Sequence, residues 1–349
     1  MISRLALIAV AGFLAGCGGG GTSASVPVKP PAPGPSGTVY AGTSSRAGSV
    51  IQAYSLPLST SSSALFSVAT STSTFCVDNF GHLLVLDSNG GLDVYSLPLA
   101  ANSTPAFKLA TSKPTAGSCA ADGAGNLYVP EDVYNSDPFN PQVQGYIDVF
   151  QGPVHGGSTP LKTVKVPPQG SGQLTGVFDA TTDSAGDVFV DTGVATVGFS
   201  PVHRWVTRGQ LILELSIAEF SSLGAGNVLL ATFGGGHNPK IGPDGNLYTL
   251  DAISNGQGNT EVVDVYLPSD FHNGGAKDHS ITLGDALKLS TQDIAFDNVA
   301  NLYVTGESPP CCPQTAVVLV FPPPYAAIGV TSRLSVPADS GAGSIAIVP

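Results

Sequence analysis

The chain has 349 residues, of which 43 are glycine and 28 proline, and its 13 basic against 25 acidic side chains give a net charge of −12. Charged residues are only 11% of the chain, with one Met and one Trp, which excludes helical bundles and coiled coils, since those draw on Ala, Glu, Lys, Leu and Arg. An acidic chain without a basic cluster repels phosphate, so nucleic acid is excluded as a partner, while 42% hydrophobic content is enough to build a core. What remains is a turn-rich, weakly charged all-β protein.

Residues 1–16 carry one positive charge, Arg4, and then an apolar run from Leu5 to Ala15. That run is shorter than the ~20 residues a bilayer span needs and fits the core of a signal peptide. It ends in Leu14-Ala15-Gly16-Cys17, which resembles the lipobox of bacterial lipoproteins. The resemblance implies cleavage before Cys17, acylation of that cysteine, and a lipid-anchored protein of the bacterial cell envelope. Gly18, where an Asp would favour retention at the inner membrane, implies the outer membrane. Residues 17–36 are rich in Gly and Pro without apolar periodicity, as expected of a flexible tether. The acyl chains make the membrane the expected partner of this end.

From residue 37 onward the chain repeats. TVYAG (38–42), VIQAYSL (50–56) and ALFSV (64–68) read as second, third and fourth strands of a unit whose first strand is missing. Five further copies open on a β-prone run, an Asp or Gly turn and a second run: CVDNFGHLLVL (76–86), CAADGAGNLYV (119–129), ATTDSAGDVFV (180–190), KIGPDGNLYTL (240–250) and IAFDNVANLYV (294–304). Third strands follow at 91–97, 145–151, 212–218, 261–267 and 316–322, and fourth strands at 106–110, 161–166, 227–233, 279–283 and 332–336. The chain closes on SIAIV (344–348), a first strand with nothing after it. Four antiparallel strands at regular spacing mark a propeller blade. The reading is a six-bladed all-β propeller over 37–349, its ring closed by pairing of the N- and C-terminal strands, which removes exposed edges.

The turn position at Gly81 recurs at Gly37, Gly125, Gly186, Gly245 and Ala300. The spacing exceeds the ~40–45 residues of a compact blade mainly at 131–144, 192–210, 252–259 and 306–314, between second and third strands. Insertions gathered on one face mark it as the binding face. The pattern D-x-x-G-N-L-Y-V, followed by a V-x-V-Y/F strand, resembles the NHL-repeat propellers and their six-bladed relatives. The reading is a monomeric binding or protein-interaction module that uses this long-loop face, with an envelope protein or a small ligand as its partner.

Four residues before the turn Asp lies one position at the mouth of each first strand: Thr74, Ser118, Asp179, Asn238, Asp293 and Ser344. First strands line a propeller's channel, so these six form a polar ring. Asp179, Asn238 and Asp293 come from neighbouring blades, and hard oxygen ligands converging in this way suit Ca²⁺ or another divalent cation. The gluconolactonase-type propellers resemble this arrangement. The alternative is a hydrated mouth whose side chains satisfy strand ends. His237, beside Asn238, could serve as general base or ligand, and the virginiamycin B lyase family, which this chain also resembles in its repeats, uses a His near a metal. A second reading is therefore a metal-dependent envelope lactonase or lyase. Binding carries more weight than catalysis, because no nucleophile elbow, Cys-x-x-C or phosphate loop is present.

Asp78, Asp122, Asp183 and Asp297 share one turn, where Asp bonds its own backbone. Asp87, Glu131, Asp132, Asp191, Asp251 and Glu307 end second strands and read as an acidic rim. Beyond Cys17, four cysteines remain, and an oxidising compartment favours pairing them. Cys76 and Cys119, on first strands of adjacent blades, form one expected disulfide, and Cys311–Cys312 in a long loop the other. The alternative is buried thiols at the first pair and free thiols at the second.

Overall fold

A computed structural model describes residues 34–349 except 88, 135–142, 167–174, 185, 195–210, 216–231, 235–236, 255–258, 272–275, 284–289, 308–314, 326–331 and 336–339. The signal peptide, Cys17 and most of the tether, together with Cys311 and Cys312, lie outside the described residues. Within the unit Gly34–Pro349, the chain is an all-β propeller of small four-stranded antiparallel sheets.

Strands β1 (Thr38–Ser45), β2 (Gly48–Ser55) and β3 (Phe66–Thr70) come first. Next is a sheet of β4 (Phe75–Val77), β5 (His82–Leu86), β6 (Leu92–Ser96) and β7 (Phe107–Leu109). The following sheet holds β8 (Ala120–Ala121), β9 (Leu127–Tyr134), β10 (Val143–Phe150) and β11 (Lys162–Lys165). A third consecutive sheet holds β12 (Thr175–Thr182), β13 (Val188–Val194), β14 (Leu211–Leu215) and β15 (Thr232–Gly234). Then come β16 (His237–Ile241), β17 (Leu247–Ser254), β18 (Asn259–Tyr266) and β19 (His279–Thr282). The last consecutive set is β20 (Ser290–Phe296), β21 (Leu302–Glu307), β22 (Ala316–Phe321) and β23 (Ser332–Ser335).

Five sheets are thus built from consecutive strands, and a sixth takes its inner strand from the far end of the chain, in the order β24-β1-β2-β3 with β24 at Ser340–Val348. Strands β1 and β24 pair antiparallel, with Tyr40 opposite Ala346 and Thr38 opposite Val348. This is the pairing expected of 344–348 with 38–42. Of the expected fourth strand at 227–233, residues before Thr232 lie outside the described residues. One local difference from the sequence reading appears: a single helical turn, α1 (Pro268–Phe271), interrupts the β18–β19 connection. Pro268 fits such a turn because its φ is already helical and its missing N–H would be unpaired there.

Strand alternation puts every second residue against a neighbouring sheet. One apolar cluster joins Ile147 and Val164 to Val177 and Val190. Others join Val263 to Val304 and Leu319, Val318 to Val39 and Ile345, Val94 to Val129, Ile51 to Val85, and Phe189 to Leu247. Each cluster bridges two successive sheets, so the apolar side chains work between sheets and leave the axis to the first strands.

The turns follow the repeat. Asp122 Oδ1 accepts the N–H groups of Ala124 and Asn126 at 2.9 Å, and its Oδ2 accepts Asn126 Nδ2 and the Tyr128 hydroxyl, both at 2.9 Å. Asp297 repeats this with Val299, Asn301 and Tyr303. In the β16–β17 turn the same Asn and Tyr positions are held from a different place, by Asp244. Burial and the neighbouring carboxylate push the Tyr128 and Tyr303 hydroxyls well above the usual tyrosine range, so both stay protonated donors. The turn aspartates are therefore structural, as their local bonding chemistry predicts.

The recurring turn position has positive φ at Gly37, Gly81, Gly125, Gly186 and Gly245, and at Ala300, where φ is 64°. A left-handed conformation costs an L-residue roughly 1–2 kcal/mol, against about 0.5–1 kcal/mol of extra chain entropy lost by glycine. Ala300→Gly should therefore stabilise the fold by about 0.5–1 kcal/mol, read as a higher urea midpoint at unchanged slope.

Candidate functional site

Residues on or beside the first strands β4, β8, β12, β16, β20 and β24 line two chambers. The narrow one, about 50 Å³, lies at the strand starts and is lined by Thr74, Asp179, Asn238, Asp293 and Ser344 together with Ala116, Gly117, Phe178, Gln292 and Gly343. Five of the six ring residues expected from sequence thus converge there. Ser118 lines the wide chamber instead. His237 is not part of the narrow lining; its Nε2 faces the Thr291 carbonyl oxygen at 3.4 Å.

The ring side chains reach sideways to the next sheet. Asp179 Oδ1 accepts the Ser118 N–H at 2.8 Å, and Asp293 Oδ2 accepts the Ile345 N–H at 3.0 Å. Ser344 Oγ accepts the Phe75 N–H at 3.2 Å, and the Ser118 hydroxyl donates to the Phe75 carbonyl at 3.2 Å. Asp293 Oδ1 accepts the N–H of Ile294 at 2.9 Å and lies 3.6 Å from the Lys240 ammonium. Burial raises the Asp293 carboxyl pKa, while the Lys240 charge and the Ile345 N–H oppose that rise. Asn238 sits at φ 50° and buries its Oδ1 without a hydrogen-bond partner. Among the described residues no cluster of three or more His, Cys, Asp and Glu side chains could hold a metal ion.

The acids that end second strands are not a solvated rim. Glu131 and Asp191 are 0% exposed, and Asp132 is 2% exposed. Asp132 Oδ1 accepts the Val177 N–H at 2.8 Å, Asp191 Oδ2 faces the Asn238 N–H at 3.4 Å, and Glu307 Oε1 accepts the Ala342 N–H at 3.0 Å. Each bond ties one sheet to the first strand of the next. The signal was present in sequence: an acid recurs just past the LYV, VFV and LYT runs, a register that net charge alone does not explain.

Glu131 secures a different connection, the segment from β7 to β8. Its Oε1 accepts the Lys113 N–H at 3.0 Å and its Oε2 the Ser112 hydroxyl at 2.9 Å. The same hydroxyl lies 2.8 Å from Asp148 Oδ1, and Asp148 Oδ2 accepts the Ser112 N–H at 2.7 Å. Asp264 plays the matching part on β18, accepting Lys277 Nζ at 2.9 Å and Ser280 Oγ at 2.6 Å. Burial first, and then the Asp148 charge, push the Glu131 carboxyl up to about 7.

Cys76 and Cys119 form a disulfide between β4 and the segment leading into β8, with Cα atoms 5.4 Å apart, as the sequence reading expected. No known protein-family profile matches the chain, and no curated protein matches it. Among solved structures it is similar to the crystal structure of the major Malassezia sympodialis allergen Mala s 1, at 12% identity over 77% of this chain and 91% of that one, with a TM-score of 0.40.

The Glu131 carboxyl carries a pH signature. Its ordinary pKa is 4.5 and its folded value about 7, so between those values the folded chain keeps a proton that the unfolded chain has released. This contribution to stability is fully present below pH 4.5, is lost as pH rises towards 7, and changes no further above it. Glu131→Gln should flatten that part of the profile in denaturant unfolding followed from pH 4 to 8.

Proposed function

We propose that the chain is a lipid-anchored protein of the bacterial cell envelope, a closed six-bladed propeller with NHL-like repeats. Acting as a monomer, it uses the face of its long loops to bind an envelope protein or a small ligand. The pairing of β24 with β1 and an apolar cluster between every two successive sheets support the six-bladed ring. The Leu14-Ala15-Gly16-Cys17 sequence supports the anchor.

One observation favours binding over catalysis at the channel mouth. The carboxylates of Asp179 and Asp293 are already engaged by backbone N–H groups of neighbouring sheets. A carboxylate committed to such bonds is a poor general base, because giving them up leaves buried donors unpaired. The chamber beside them, at about 50 Å³, has room for water or a bare ion and not for a lactone.

A specific feature keeps the metal-dependent reading alive. Asn238, which lines the same chamber as Asp179 and Asp293, buries its Oδ1 without a partner, and such an orphan oxygen suits a cation such as Ca²⁺. Thermal unfolding of the full chain with Ca²⁺, Mg²⁺ or chelator separates the two. A cation that binds only the folded state raises the melting temperature. The binding-module reading expects no shift. A Ca²⁺ shift abolished by Asp293→Ala and kept by Asp297→Ala would instead establish the cation site and favour the enzyme.

The anchor has its own test. Cys17→Ser should move the protein from the detergent phase to the aqueous phase on Triton X-114 partitioning, since acyl chains supply its membrane affinity. Unchanged partitioning would overturn the lipid anchor.

A further inference from the structure

The wide chamber of the channel, about 420 Å³, lies at the ends of the first strands, on the side of the β4–β5 and β16–β17 turns and opposite the long loops. Its size falls within the ~300–1,000 Å³ of small-molecule sites. It opens outward there, since Pro243 on its rim is exposed. Two residues beyond the polar ring stand Cys76, Ala120, Thr181, Lys240, Ala295 and Ala346, and all six are among the residues that line this chamber. Five are small and uncharged, and among the described residues Lys240 is the one charged side chain in the lining.

The Lys240 ammonium has 22% of its side chain exposed, and the ion pair recorded for it is to Asp293 Oδ1, at 3.6 Å, beyond ordinary hydrogen-bond length. An ammonium carries three donors, so Lys240 retains donor capacity in a chamber lined by both polar and apolar groups. Asp293, the balancing charge, sits behind it in the narrow chamber with its other contacts made to backbone N–H groups.

We propose that this chamber binds a small molecule carrying a single carboxylate, with the carboxylate on Lys240. The site lies on the face opposite the long loops and is independent of the role proposed for them. The rest of the described lining is uncharged, so the ammonium is what separates an anion from its neutral analogue. A cation of the same shape would meet Lys240 as a like charge.

The test is isothermal titration of the full chain in lipid nanodiscs, with empty discs subtracted. The probes are cyclohexanecarboxylate, cyclohexylmethanol and cyclohexylmethylamine, three head groups on one body. The carboxylate should bind about tenfold more tightly than the alcohol, as a charge-assisted bond requires, and the amine should bind most weakly. Lys240→Arg should keep the carboxylate preference, Lys240→Met should erase it, and Ala121→Phe, which fills the chamber, should abolish binding of all three. Equal affinities, an amine preference, no binding of the carboxylate, or binding that survives Ala121→Phe would each overturn the proposal. Should Lys240→Met fail to fold, the ranking on the unmodified chain and the Ala121→Phe result decide the matter. Neither depends on calcium or on the long loops.

Discussion

The inner edge of each first strand is the constraint on which the rest of the molecule depends. A first strand pairs with a second strand on one side only, and its other edge faces the axis, where the backbone N–H groups of a buried strand must find acceptors. Neighbouring sheets supply them. Asp179 takes Ser118, Asp293 takes Ile345, Ser344 takes Phe75, and Asp132 takes Val177. Two direct backbone bonds, Ser344 N–H to Ser73 and Ala180 N–H to Ser118, add to the same seam. The sheets are thus joined at the axis by hydrogen bonds and farther out by apolar clusters.

This use of carboxylates accounts for the unbalanced charge. With 25 acids against 13 basic side chains, nearly half of the acids cannot be neutralised by one-to-one ion pairs, and several of the most buried ones are not. A carboxylate offers two oxygens and up to four acceptor sites, so Asp122 or Asp297 can hold a whole turn. Where cations do appear they serve strand edges: Lys108 lies 2.7 Å from Asp87, and Lys277 lies 2.9 Å from Asp264. Glu131 shows the cost of the arrangement, since burial beside Asp148 raises its affinity for a proton.

The same geometry divides the channel. At the strand starts the polar ring turns inward and leaves about 50 Å³. Two residues further along, small side chains replace it and the space opens to about 420 Å³. The polar end is largely taken up by bonds that hold sheets together. The wide end is lined by both polar and apolar groups and, among the described residues, by one charged side chain, Lys240.

Local sequence determined the four-strand unit, the turn glycines, the structural turn aspartates and the pairing of the two chain ends, because each rests on an alternation or a backbone conformation that a few neighbouring residues set. The polar ring was legible for the same reason: Thr74, Asp179, Asn238, Asp293 and Ser344 share one register, and the fold brings them to one chamber. What those side chains bond to was decided only by tertiary structure. Ser118 and Asp179 are 61 residues apart, and Asp293 and Ile345 are 52 apart, so no local pattern says that a carboxylate will meet an amide of the next sheet rather than water or an ion. The buried acids past the second strands were misread as a rim on that account, since burial depends on the packing of the adjoining sheet. Lys240 stood in the sequence as the one charge at a position otherwise held by small residues, and only the packing of successive sheets showed that it shares a chamber with them and pairs with Asp293 of the next sheet.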